Sequence, residues 1–174
     1  MRRIQLPIQE SDLLSLNAFD QVLLSGTLYV GRDQVHSRLI DLLERHEQLP
    51  FKVQGQAIYY MGPSPAPEGF PLGSCGPTTS ARMDPFAPRL LDEGLRVMVG
   101  KGPRSEEVVA SIIKNRAIYL QAYGGCGALY ASTVRKVRTL AFASLGPEAL
   151  LELEVEDFPV IVAIDSRGKS VFTR

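Results

Sequence analysis

Cysteine is scarce in this chain. Cys75 and Cys126 are the only two among 174 residues, and neither belongs to a CxxC pair or a Cys/His ligand spacing. That excludes a disulfide framework and leaves any metal site incomplete. Net charge is absent as well, with 19 basic and 19 acidic side chains. Such a balance lacks the electrostatic footprint of a nucleic-acid or membrane-surface binder, so proteins and small molecules are the expected partners. No apolar run is long enough for a signal peptide or a membrane span, including the start at Met1-Arg2-Arg3-Ile4-Gln5-Leu6-Pro7, and a cytoplasmic protein is expected. HExxH, GxxxxGK[ST] and a nucleophile paired with a histidine base are all missing. An enzyme built on this chain would take its electrophile from a partner or a cofactor.

What the chain does have is an alternation of strand and helix patterns. At this length one domain, residues 1–174, can bury roughly 70% of its extended-chain surface. Residues 3–8 read as an edge strand and 21–30 as a β-rich run in which Gly26 marks a bulge or a close approach. From Arg32 to about Glu47 the apolar residues Val35, Leu39, Leu42 and Leu43 recur at helical spacing. A short strand at 57–61 leads into the proline-dense loop Gly62-Pro63-Ser64-Pro65-Ala66-Pro67-Glu68-Gly69. Asp84 and Pro85 predict a helix start that Gly94 ends, followed by a strand at 95–99. Ser105 and Glu107 predict a capped helix reaching Asn115-Arg116, then a strand at 117–123, a glycine-rich turn and a short helix at 128–131. The tail is strand-rich over 134–143, 150–155 and 158–165, closing in a turn at Ser166-Arg167-Gly168.

Chemistry concentrates in Gly76-Pro77-Thr78-Thr79-Ser80-Ala81-Arg82-Met83-Asp84, which packs backbone donors, three hydroxyls and a guanidinium into nine residues. If it forms a helical turn, its free N–H groups favour an anion, and Thr78 and Arg82 share one face. A capped helix entrance with a surface arginine would carry the same residues. Arg32 follows a strand through Gly31, and Lys101 sits between Gly100 and Gly102, where a cation can be delivered to a ligand or simply occupy a solvated turn. Converged, Arg32, Arg82 and Lys101 suit a dicarboxylate, since arginine grips a carboxylate through two parallel hydrogen bonds and lysine adds a point charge. His36, on the face of Arg32, fits a hydrogen-bonded histidine at the core edge as well as a catalytic one.

Taken together, Gly31-Arg32-Asp33 with His36, Tyr60 through Gly62-Pro63, the Gly76 to Asp84 string, Gly100-Lys101-Gly102, Gly124-Gly125 and the tail from Leu153 to Gly168 resemble the β subunit of class I fumarate hydratase and L-tartrate dehydratase. The likeness runs in order over nearly the whole chain. It implies an α/β swivelling domain of three layers, β/β/α, with mixed sheets. It also implies an α subunit that carries a [4Fe-4S] cluster on its own three cysteines, so that this chain ligates no metal through Cys75 or Cys126, and an α2β2 assembly. The implied reaction is the elimination of water from (S)-malate to give fumarate, with the open iron as Lewis acid. Carried over by motif, Thr78 takes the proton from carbon, while Arg32, Arg82 and Lys101 hold carboxylates and Asp33 and His36 orient Arg32. L-Tartrate as substrate, and a non-catalytic dicarboxylate-binding or assembly module, are the alternatives.

Overall fold

A computed structural model of the chain describes residues 1–173. Seven strands, β1 (Arg2–Leu6), β2 (Gln21–Val30), β3 (Ala57–Tyr59), β4 (Val97–Gly100), β5 (Ile118–Gln121), β6 (Val134–Ala141) and β7 (Leu150–Ile164), form one mixed sheet in the order β1-β2-β3-β4-β5-β7-β6. Neighbours from β1 to β5 are parallel, and β7 runs antiparallel to both β5 and β2. The β2–β7 pairing, from Gln21↔Ile161 to Val30↔Leu151, closes β2, β3, β4, β5 and β7 into a five-stranded barrel. β1 and β6 lie outside that ring, each paired on one side only.

Period-two alternation decides which way each strand faces. Ala57, Tyr59, Val97, Val99, Ile118 and Leu120 pack together with Leu28, Leu153 and Phe158, filling the barrel. The residues between them, Ile58, Met98 and Tyr119, join the apolar stripes of three helices: Val35 and Leu39 of α2 (Asp33–Glu44), Leu90 and Leu91 of α3 (Ala87–Asp92), Val108 and Ile112 of α4 (Glu106–Asn115). Each fully buried side chain of this size contributes roughly 1.5–3 kcal/mol, so two clusters on opposite faces of one wall fix its register. α4 starts as the sequence predicts, with the Ser105 hydroxyl accepting the Val108 N–H at 3.3 Å. Its end is set by Arg116 in the left-handed region at φ 51°.

The mixed α/β class is as expected, and the strands belong to one closed sheet. Three local expectations need correction. The tail strands expected at 150–155 and 158–165 merge into the fifteen-residue β7, which passes a bulge at Asp157 (φ 54°) whose N–H is taken by the Ser25 hydroxyl at 3.0 Å. Two elements without a strong periodic signature, α1 (Glu10–Ser15) and a 3₁₀ segment at Ala143–Glu148, had no counterpart in the sequence pattern. Asp84 and Pro85 do not open α3, whose cap is Phe86 with Pro88 in the first turn. The Asp84 carboxylate instead reaches across to the start of α4, accepting the Ser105 N–H at 2.8 Å.

Gly26 is the close approach that its position in a strand suggested. At φ 116° it sits opposite the β7 bulge, and a Cβ there would collide with the Leu6 carbonyl oxygen on β1. Gly26→Ala should therefore lower stability by about 2 kcal/mol or more in urea unfolding, combining left-handed strain with a clash against backbone. A loss below about 0.5 kcal/mol, the size of an ordinary surface change, would show that β1 yields freely.

Candidate active site

Because β2 to β5 are parallel, their carboxyl ends share one rim of the barrel, and the segments leaving them begin there. Arg32 leaves β2 through Gly31, whose N–H bonds the Tyr59 carbonyl of β3 at 3.1 Å. Its guanidinium lies flat on Gly62, just past β3; a Cβ at Gly62 would be 2.7 Å from the Arg32 Cζ. A larger residue at 62 would push the Arg32 guanidinium aside. Lys101 leaves β4, and Gly124-Gly125 follow β5.

Between β3 and the 3₁₀ turn Ser80–Met83 the chain makes a long excursion without regular structure, pinned at several points. The Tyr59 hydroxyl donates to Cys75 O at 2.6 Å, Ser74 N donates to Ser64 Oγ at 2.7 Å, and Cys75 N donates to Gly127 O at 3.1 Å. The excursion returns as an extended segment that fits between the continuations of β3 and β4. Thr78 N donates to Tyr60 O at 2.7 Å, Ser80 N donates to Lys101 O at 2.9 Å, and Thr79 bridges Lys101. Gly100 makes room for it, since a Cβ there would overlap the Ser80 hydroxyl.

This geometry replaces the helical turn expected over 76–84. The 3₁₀ turn starts only at Ser80, has no side-chain cap, and leaves Thr78 outside it, so Thr78 and Arg82 do not share a helical face. Thr78 is instead bonded through its backbone to Tyr60, and it is Thr79 that bridges Lys101. Arg82 is tied to the start of α2: its Nε donates to Asp33 Oδ2 at 3.1 Å and its Nη2 lies 3.0 Å from Oδ1. Asp33 thus engages Arg82, not Arg32. The carboxylate on Arg32 is Glu148, from the end of the 3₁₀ segment at Ala143–Glu148, with Oε1 2.6 Å from Nη2 and Oε2 held by Gln34 at 2.7 Å. His36 touches Arg32 through the backbone, its Nδ1 lying 2.7 Å from the Arg32 carbonyl.

Two buried polar atoms at the start of α2, Arg32 Nε and His36 Nε2, have no hydrogen-bond partner among the described residues, and Asp33 Oδ1 meets only the Arg82 guanidinium of the ion pair. A carbonyl only accepts, so Nδ1 of His36 carries the hydrogen and Nε2 presents a lone pair. His36 is fully buried, against the Tyr60 and Phe86 rings at 5.3 and 6.0 Å. Burial is the main cause of a pKa lowered to about 4, reinforced by the nearby Arg104 cation. Lys101 is half-buried and, among the described residues, enters no ion pair. Beneath this surface lies a polar cluster that sequence reasoning missed. Arg104 is paired with Asp84 at 2.7 Å and stacked between the Tyr60 and Tyr119 rings. Nothing in the sequence marks an arginine for burial, although the outward-facing tyrosines just past β3 and in β5 need hydroxyl partners and so could have pointed to one.

Three hollows lie around the barrel: one of about 410 Å³ beside Leu49 to Gln54, one of about 490 Å³ between α4 and Phe172, and one of about 230 Å³ between Phe70 and α5 (Gly127–Ser132). No helix among the described residues is long and apolar enough to cross a membrane, and no group of three potential metal ligands occurs among them. An iron–sulfur cluster does not fit the two thiols. Cys75 is buried, donates to Gly73 O at 3.2 Å, and burial pushes its pKa up to about 11, while Cys126 is half-buried.

A closed barrel with helices outside it thus carries Arg32, Lys101 and the Thr78–Ser80 segment on one rim. The family description "Fumarase C-terminus" matches residues 1–174, and the chain belongs to that family. A fumarate hydratase class I, aerobic, of Salmonella typhimurium is 38% identical over 86% of this chain, and the mitochondrial fumarate hydratase 1 of Leishmania major is 40% identical over 86%. This chain spans only 26% and 28% of those two proteins. A Methanocaldococcus jannaschii protein provisionally named L(+)-tartrate dehydratase subunit beta is 37% identical over 95% of this chain and 88% of its own length.

His36 gives the site a pH signature. Its folded pKa, about 4, is below the ordinary 6.5, so the unfolded chain takes up a proton first as pH falls. Stability should be full above pH 6.5 and decline toward pH 4, with a loss of about 2 kcal/mol between pH 7.5 and 5 from this residue. Urea unfolding of wild type and His36→Gln at both values checks this. An equal decline in the variant would show that His36 is not the group responsible.

Proposed function

We propose that the chain is the β subunit of an iron–sulfur-dependent hydro-lyase that interconverts (S)-malate and fumarate, working as a single domain over 1–174 in an α2β2 assembly in the cytoplasm. The reading is supported most by the Thr78–Ser80 segment between the continuations of β3 and β4, which ties Thr78 to Tyr60 and Thr79 to Lys101 on the rim from which Arg32 also leaves. The kinship with a β subunit over 88% of that protein's length accords with a separate chain. In the assembly the [4Fe-4S] cluster belongs to the α subunit, and this domain swivels as a β/β/α unit to bring its rim against it.

Within this chain the roles follow from charge and reach. Arg82, in an exposed pair with Asp33 that stabilises by no more than about 1 kcal/mol, can exchange that carboxylate for one of the substrate's. Lys101 meets a carboxylate as a point charge, and Arg32 offers a guanidinium whose plane is set by Gly62 and Glu148. Asp33 and His36 complete the start of α2 that carries Arg32. Thr78 accepts the proton from the carbon next to the carbinol. A threonine hydroxyl is a very weak base in water, so this role needs neighbouring cations that favour its alkoxide, and Lys101 and Arg82 are the candidates.

L-Tartrate is the second reading, favoured by the Methanocaldococcus relative, because the two substrates differ by one hydroxyl and share the groups above. A non-catalytic dicarboxylate-binding or assembly module is the third. With the α subunit supplied and the cluster reconstituted without oxygen, wild type should hydrate fumarate with a higher kcat/KM than it shows for dehydrating L-tartrate. Thr78→Ala should lower kcat by about 10²-fold or more at nearly unchanged KM. Arg82→Ala should raise KM about 10- to 100-fold, the loss of a charged hydrogen bond to a carboxylate. Neither should change the melting curve. Wild-type kcat in Thr78→Ala would contradict its role, and dicarboxylate binding by the isolated chain with no rate gain on adding α would favour the module.

A further inference from the structure

The Arg104 side chain is wholly inaccessible to solvent, which for a guanidinium demands compensation. It is met on every side. Nε donates to Asp84 Oδ1 at 2.7 Å, Nη2 donates to the Tyr60 hydroxyl at 3.2 Å, and Nη1 lies 3.6 Å from Met98 Sδ. The Tyr60 and Tyr119 ring centres are 5.2 and 4.8 Å from its Cζ. The Tyr119 hydroxyl is 2.7 Å from both Ser80 Oγ and Gly102 O; the carbonyl can only accept, so the phenol donates to Gly102 and accepts from Ser80. The far oxygen of Asp84 takes the Ser105 N–H.

These partners are not scattered. Ser80 and Asp84 flank Arg82, while Gly102 and Arg104 follow Lys101 directly. We infer that Arg104 and Tyr119 form a buried clamp that fixes the spacing between Arg82 and Lys101, making both of them positioning residues for a ligand with two carboxylates. The inference rests on the functional reading above for its ligand, and on the contacts alone for the clamp. A dicarboxylate gains from two cations only if their separation matches its own, so a loosened clamp weakens binding without removing either charge. Lysine at 104 would keep the charge and lose the planar fork that serves Asp84 and Tyr60 together.

Two measurements on the same variants separate the clamp from the function. In the assembled, reconstituted enzyme, Tyr119→Phe and Arg104→Lys should raise KM for the dicarboxylate about tenfold while kcat changes less than about twofold. A merely structural role would reduce the active fraction, lowering apparent kcat and leaving KM alone. In the full chain without turnover, amide exchange at Ser80 should quicken about tenfold in Tyr119→Phe, with the β4 and β5 amides unchanged. Unaltered exchange at Ser80 overturns the clamp whatever the activity. Unaltered KM in an active enzyme overturns its part in binding. A wild-type assembly inert toward malate, fumarate and L-tartrate overturns the functional reading, and the exchange result then decides the clamp by itself.

Discussion

The structure depends on one closure, β7 laid antiparallel against β2. The five parallel strands β1 to β5 would otherwise form an open sheet with an unpaired edge at β5, but β7 pairs with β5 at one end and with β2 along most of its length. The barrel interior is then filled by one set of alternating side chains, and the helices must cover the outer wall. With the strands parallel and the helices outside, the segments after β2, β3 and β4 all begin at the same rim. Arg32, the Thr78 excursion and Lys101, nearly seventy residues from first to last in sequence, are brought together by topology alone.

The rim's electrostatics are arranged for exchange rather than permanence. Arg82 holds an exposed carboxylate of α2, Arg32 holds one from the far segment before β7, and Lys101 has no ion-pair partner among the described residues. Exposed pairs contribute little to stability, so the Arg82–Asp33 pair separates at small cost. The buried pair of Arg104 with Asp84 behaves oppositely, since breaking it would leave a charge in the core. A yielding outer layer thus rests on a rigid inner one.

How far this was legible in the sequence differed by kind of residue. The α2 stripe, the Ser105 cap and the Gly26 close approach follow from spacing, from capping and from what glycine permits, and they stand in the structure. The Gly76 to Asp84 string carried the relevant side chains but suggested a helical turn, because hydroxyls after proline are a cap signature; pairing with Tyr60 and Lys101 overrode that local preference. Asp84 looked like a cap for its own helix and serves the next one. Glu148 and Arg104 carried no local signal, since a partner 116 residues away along the chain and a buried arginine are both set by tertiary contacts.

The most direct test of the convergence of Arg32, Arg82, Lys101 and Thr78 on one ligand is a crystal structure of the chain assembled with its α subunit and soaked with a dicarboxylate. The account predicts one dicarboxylate on the rim, its carboxylates in hydrogen-bond contact with Arg82 and Lys101 and a carbon facing Thr78 Oγ. A dicarboxylate seated away from the rim, with Thr78 and Lys101 covered by packed protein, would contradict it.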